Sequence, residues 1–497
     1  MLEKFEKYRN FYREIAKISE IQSILHWDFE VMMPKDAAEN RAEQMSFLAK
    51  MQHEMFTSEK LTKLAEDAKE EINQKKPENE KILFRELEIL ERDRSRAMRI
   101  PPEIIEKLSK LTSISHNVWV SARKNKKFKE FEPNLSQIVE IVREIGDLYG
   151  YEEERYDALL EEYETKTTAK ELGTLFGDLK KSLIPLIEKS RTYPNPFKNK
   201  IDAVYQKSFN DKLSKCLGLS GSKSRLDESE HPFSTSLGKM DKRITTRYEE
   251  SDPMSSIFGV LHETGHSLYE LGIGEMSEYP NPLTSSVSLG LHESQSRLWE
   301  NQIGRSKEFW EYFYPKMLDE FRLTSKDLDF TGLINYIRSV EKTKIRVEAD
   351  QVTYNLHVIL RFEIERELIS GNLKVKEIPD LWNSKMKDYF GLMIENDSEG
   401  VLQDVHWSGG SFGYFPTYAL GNIYSAQLFH FFLKENQSFW ESVKSKGDLS
   451  TLLNWLKKKV HLNGRIFDPK DLIFQATGEY PDSKYLMKHL ELQISDA

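Results

Sequence analysis

Two histidines and a glutamate in Gly259-Val-Leu-His-Glu-Thr-Gly-His-Ser-Leu-Tyr-Glu270 are the residues from which chemistry can be built. His262 and His266 stand four positions apart, and on a helix that spacing puts both imidazoles on one face, one turn from each other. Two imidazoles so placed can grip one metal ion, and the carboxylate of Glu263 between them can address a water that the ion polarises. Such a site needs one more protein ligand, and a carboxylate on the next helix is a common choice. Glu293 follows His266 by 27 positions, enough for one helix to end, a loop to turn back and a second helix to pack alongside. Glu300 is its rival but belongs to a different face, and His292, offset by one residue, should point elsewhere. Glu263 lies too close in sequence to both histidines to share the ion, so its expected part is general base. Gly259, Val260, Leu261, Leu268 and Leu271 make this helix mostly apolar, and a buried His-Glu-His set on it calls for a purpose.

The elements that must position these groups can be read on either side. Asp241-Lys-Arg-Ile-Thr-Thr-Arg-Tyr248 is rich in β-branched residues and predicts a short strand or hairpin that could wall a cleft. The motif helix is expected to start after Asp252-Pro253 and to run to about Leu271, where Gly272 and Gly274 end it. A second helix opens near Ser286 to Ser288 and carries Glu293. Further on, Arg346, Asp350, Tyr354, His357, Arg361 and Glu365 recur at four spacing and read as one polar stripe on a helix. Gln403, Asp404, His406, Tyr414 and Tyr418 crowd among glycines, the composition of a loop that holds polar groups around a cleft. Residues 1–190 read as successive helices, broken at Pro34 and at Pro101-Pro102. Their His26-Trp27-Asp28 is read as a packed aromatic turn.

Bulk properties narrow the function classes. A net charge of -10 argues against nucleic acid or an anionic membrane as the main partner. The single cysteine, Cys216, excludes an intrachain disulfide and a cysteine-based zinc cluster, which fits a reducing, cytoplasmic setting. The first residues are charged and lack the apolar stretch of a signal peptide, and no run of about 20 apolar residues appears.

Taken in order, His231-Pro-Phe, Asp241-x-Arg-x-Thr245, His262-Glu-x-x-His266, His292-Glu-Ser-Gln295, Ile345-Arg-x-x-Ala-Asp350 and Gly400-x-x-Gln-Asp-x-His-Trp407 resemble the blocks of the carboxypeptidase Taq (M32) family of metallocarboxypeptidases. The chain departs from the family pattern at Gly238-Lys-Met240, ahead of the Asp-x-Arg-x-Thr block, and after His26-Trp-Asp. The resemblance implies a mainly α-helical, elongated fold with a deep central groove, like that of neurolysin and angiotensin-converting enzyme, and a small sheet lining the cleft. It implies a single catalytic domain over 1–497, with a helical part (1–190) and a metal-binding part (191–497). It also implies a homodimer that removes single residues from free peptide C-termini with one divalent ion, zinc first, cobalt or manganese as alternatives. Carried over by position, His262, His266 and Glu293 are the ligands and Glu263 the base. Arg346 binds the terminal carboxylate, assisted by Arg243, and His406 and Tyr418 steady the substrate carbonyl, with Tyr414 competing for the part of Tyr418. An endopeptidase of the same fold, or a peptide-binding protein with an idle metal site, is the competing reading.

Overall fold

The first hundred residues form four helices, Glu3–Val31, Ala38–Thr57, Glu59–Lys75 and Glu80–Arg99. Local chemistry sets their ends: the Ser58 hydroxyl accepts from the Leu61 amide, and Lys76 closes the third helix in the left-handed conformation. Phe5, Tyr8, Phe11 and Ile15 of the first helix bury against Leu61, Ala68 and Ile72 of the third and Leu83, Leu87 and Leu90 of the fourth, making a small core of their own. The second helix, Ala38–Thr57, buries none of its residues.

This computed structural model describes residues 2–495, and among them are twenty α-helices and one three-stranded sheet. From Pro102 onward the helices enclose a much larger core, which includes Trp299, Trp310, Leu360, Phe415 and Tyr424. Pro102 sits in the first turn of its helix, as expected. The helical N-terminal part closes with Ala169–Lys189, whose start carries a reciprocal capping box between Thr168 and Glu171.

The sheet has the order β1-β3-β2, with β1 Ser224–Glu228, β2 Ser234–Ser236 and β3 Lys242–Thr246. β3 is the predicted strand, central rather than at an edge. It runs parallel to β1, with Leu226 opposite Ile244, and antiparallel to β2, with Thr235 opposite Arg243. β2 borders a cavity of about 270 Å³ lined also by Lys242, Ser267, Glu270 and His292, so the sheet does line the cleft beside the motif helix. Among the described residues no helix is long and apolar enough to cross a membrane.

The motif helix runs Pro253–Gly274, three residues beyond its expected end. Gly272 does not stop it; a Cβ there would lie 2.5 Å from His461, so this glycine is a close-packing position inside the helix. The next helix, Leu289–Arg297, begins where the Ser288 hydroxyl accepts from the Leu291 amide. It then loosens into a π-helical stretch, Leu298–Ile303.

Candidate active site

Two glycines bring the ligand-bearing helices together. A Cβ on Gly265, between the two histidines, would stand 2.5 Å from the Gln295 carbonyl oxygen, and a Cβ on Gly421 would stand 2.5 Å from Glu293 Cγ. Hence the helices Pro253–Gly274 and Pro416–Glu435 both press directly on the turn that presents Glu293, and any side chain at either position would pry them apart. Glu164 fastens the same helix at its other end, accepting from the Gly290 amide at 3.1 Å and from the Tyr424 hydroxyl at 2.9 Å.

Glu293 Oε2 then lies 3.6 Å from His262 Nε2 and 3.5 Å from His266 Nε2. Tetrahedral zinc with bonds of about 2.0–2.1 Å sets its ligand atoms roughly 3.4 Å apart, close to these two spacings. His262, His266 and Glu293 are the group of three among the described residues that could hold one. Their surroundings also fit. His262 Nδ1 faces Glu300 Oε2 at 2.9 Å, which orients the imidazole and leaves Nε2 for the ion, and Arg297 Nε donates to Glu293 Oε1 at 2.7 Å while Oε2, which also accepts from the Ser296 hydroxyl at 3.1 Å, faces the two imidazoles. Burial alone would push the His262 imidazole down, yet Glu293, Glu300 and Glu263 raise it to about 9, the mark of a pocket rich in negative charge. Burial and the neighbouring His292 push His266 down to about 3, leaving it neutral.

The expectation that Glu300 points to a different face fails. Seven positions are about two helical turns, so Glu300 comes back to the side of Glu293, and its carboxylate reaches His262. His292 also stays close: its ring stacks on His266 with centroids 4.2 Å apart, and its Nε2 meets Glu270 Oε1 at 3.2 Å. Glu263 is buried beside the ligands, and burial lifts its carboxyl to about 7.

A second polar cluster stands next to this one. Arg346 and Asp350 are not on the helix with the rest of the expected stripe; Arg346 lies in a short turn, Arg346–Glu348, and the helix begins only at Thr353. Asp350 breaks the two apart by accepting from the Val352 and Thr353 amides. Nor is the stripe a wet side, because His357, Arg361 and Glu365 are fully buried. Arg346 Nη2 and Arg361 Nε donate to the two oxygens of Asp404, at 2.8 and 2.6 Å, and Gln403 Oε1 accepts from the Arg346 amide and from Arg361 Nη2. One carboxylate between two guanidinium groups leaves a positive charge over. It also holds Asp404 well below the usual carboxylate range, against its burial.

Tyrosines join the clusters. Arg346 Nη1 donates to the Tyr354 hydroxyl at 2.9 Å, and its guanidinium carbon lies 5.1 Å from the Tyr418 ring. Tyr418 meets His406 Nε2 through its hydroxyl at 3.3 Å, and Tyr414 packs edge-on to it at 5.3 Å. Burial, reinforced by the two guanidinium groups, pushes His406 down to about 4. The loop that carries it is pinned by Glu365, which accepts from Trp407 Nε1 at 2.7 Å and from the Gly413 amide at 3.0 Å. Arg243 does not join this cluster; its guanidinium donates to Asp241 and lies 4.3 Å over the Trp27 ring, on the sheet side. Trp27, with Arg225 over it at 4.9 Å, is packed as its sequence suggested, but it lies inside the helix Glu3–Val31 rather than in a turn, and His26 beside it is exposed.

Sequence reasoning passed over Arg297, Gly265, Gly421, Glu164 and Glu270. Arg297 stands four residues after Glu293, the spacing at which a helical ion pair forms, and could have been found that way. The contact of Glu164 with Gly290 spans 126 positions and left no local trace.

Comparison with known proteins agrees with this geometry. Residues 7–494 match the family described as carboxypeptidase Taq (M32) metallopeptidase. The chain is 38% identical over 489 residues to thermostable carboxypeptidase 1 of Pyrococcus furiosus, covering 96% of this chain and 95% of that one. It is 36% identical over 496 residues to carboxypeptidase 1 of Bacillus subtilis, covering 99% and 98%. Its fold superposes on the M32 carboxypeptidase of Deinococcus radiodurans with a TM-score of 0.95 at 31% identity, over 99% of both chains. The chain belongs to the carboxypeptidase Taq (M32) metallopeptidases and is a metallocarboxypeptidase.

Proposed function

We propose that this enzyme releases single amino acids from the free C-termini of peptides, using one zinc ion held by His262, His266 and Glu293. The observation that carries the reading is the adjacency of a three-ligand cluster to Arg346, a buried guanidinium whose charge Asp404 must share with Arg361. A free carboxylate seats on such a planar fork through charge-assisted hydrogen bonds, and in a buried site the unbalanced charge favours it. An amidated end lacks that charge.

An ion bound there would supply Lewis acidity to the scissile carbonyl and acidify the water that adds to it. Glu263, buried beside the ligands, takes that water's proton and returns it to the leaving amine. The Tyr418 hydroxyl and the neutral His406 offer hydrogen bonds to the oxygen on which charge develops, with Tyr414 as the alternative to Tyr418. Arg243 would serve the same end of the substrate from the sheet, although its tie to Asp241 makes it the weaker candidate. We further propose a homodimer in a reducing, cytoplasmic setting, on the family resemblance and on an exposed lone Cys216.

The test is mass spectrometry of one unstructured peptide, with its C-terminus free or amidated, after incubation with zinc-loaded protein. Stepwise loss of residues from the free form alone is expected. Internal cleavage of both forms would make Arg346 structural and the enzyme an endopeptidase.

A further inference from the structure

Arg297 touches both clusters, and nothing in the proposed chemistry has yet used it. It ends the helix Leu289–Arg297, one turn after Glu293, just before the π-helical stretch that carries Glu300. One edge of its guanidinium donates from Nε to Glu293 Oε1 at 2.7 Å, and Nη1 donates to Glu300 Oε2 at 3.2 Å. That same Glu300 oxygen faces His262 Nδ1. Its flat face lies 4.6 Å over the ring of Tyr354, whose hydroxyl accepts from Arg346 Nη1. A single planar group thus meets a carboxylate of the ligand set, the partner of a second ligand, and the ring that seats the carboxylate anchor. Lysine at this position could match the charge but not two edges and a face.

We infer that Arg297 is a positioning residue that ties the metal ligands to the Arg346 anchor. Its edge keeps Glu293 presenting one oxygen, and its face fixes where Tyr354 holds Arg346. The distance between the ion and the terminal carboxylate, which decides that one residue rather than two is released, is then set in part by Arg297. This inference rests on the ligand and anchor assignments proposed above.

Two readouts test it: zinc retention against a chelator, measured without substrate, and KM for a peptide with a free C-terminus at saturating zinc. Arg297→Lys is expected to weaken zinc retention about 10- to 100-fold, as loss of a ligand's supporting partner does, and to raise KM as well. Tyr354→Phe keeps the ring but loses the hydroxyl, so it should raise KM while leaving zinc retention within about twofold. Because both variants act on Arg346 through the same ring, the double variant should raise KM by less than the product of the two single effects. Simple multiplication of the KM effects would overturn the coupling. Zinc kept by His262→Ala would overturn the ligand assignment and this inference with it. Zinc lost by His262→Ala but held within about twofold by Arg297→Lys would overturn the inference alone. Should Arg297→Lys not fold, Glu300→Gln opens the same link from its other end; about tenfold weaker zinc is expected there, and unchanged retention would overturn the link.

Discussion

His262, Glu263 and His266 come from one turn of one helix, whereas Arg346, Arg361, Asp404 and Tyr418 come from a short turn, two helices and a loop that meet only in the folded chain. The metal-binding side depends on local geometry: a helix alone puts its imidazoles on one face, and two glycines then let Glu293 close the set. The anchor side depends on burial. Its guanidinium groups are nearly dry, and they stay charged because Asp404 and Gln403 satisfy them without cancelling them. The contrast teaches that a site built from one helix reveals itself by spacing, while one assembled around a shared carboxylate reveals itself only by charge count.

If the two sides divide chemistry from recognition, their variants should separate kcat from KM. The largest effect belongs to Glu263→Gln, which should retain zinc, bind peptide and lose about 10⁴ in kcat, the upper range for a general acid-base group. A variant that kept full hydrolysis would end the division at once. Arg346→Met should cost on the order of 10³ in kcat/KM for a free C-terminus and almost nothing for an amidated one, so that discrimination between the two collapses. Arg243→Gln, with its guanidinium already bound by Asp241, should change the same ratio less than about tenfold. Equal losses in the two arginine variants would move the anchor toward the sheet.

Tyr418 sits where the sides meet, touching Arg346 with its ring and His406 with its hydroxyl. Tyr418→Phe keeps the ring, so its expected cost, about 3 kcal/mol, should fall on kcat with KM little changed. Tyr414→Phe, measured beside it, should cost less; the reverse order would exchange their roles.

The sequence and the fold part company in physically definite places. The His-Glu-x-x-His spacing, the strand before it and the helix carrying Glu293 were legible because each depends on neighbours a few residues away. Gly272 read as a stop signal but is a packing position, since its reason, His461, lies 189 positions on. Glu300 was expected on a different face, although seven positions are about two helical turns and bring a residue back to the side of Glu293, where it meets His262. The stripe from Arg346 to Glu365 was periodic in sequence but is split by Asp350, which bonds the backbone amides that a continuous helix would have used. Gly265 and Gly421 carried no signal, since a glycine demanded by a neighbour's backbone looks like any other.

Gly421 is where the comparison can be strained mechanically. Gly421→Ala places a methyl 2.5 Å from Glu293 Cγ, with helix backbone close behind, so the side chain or the helix must shift. Overpacking of this kind costs about 1–3 kcal/mol in stability, and here it should also loosen zinc retention while leaving free-versus-amidated discrimination intact. Loss of discrimination with zinc retained would show the strain travelling to the wrong side.

The smallest expected effect concerns pH, and it belongs to carboxylates that support each side from behind. Glu164 fastens the helix of Glu293 and Glu365 pins the loop of His406, and burial raises both to about 7. A carboxyl raised above its unfolded value contributes stability that is complete below the unfolded pKa, about 4.3, and is lost as pH rises through the folded one. Between pH 6 and 8 each group should therefore cost on the order of 1 kcal/mol, which for a chain this long lowers the thermal midpoint by about one degree. The check is the midpoint of the metal-free protein across that range, in parallel with Glu365→Gln, whose amide has no proton to lose and should flatten the slope by one group's share, since Glu263 and His262 add to the same slope. A midpoint that rose with pH in the parent chain would mean that the hydrogen bonds to these carboxylates outweigh their burial and hold them ionised throughout.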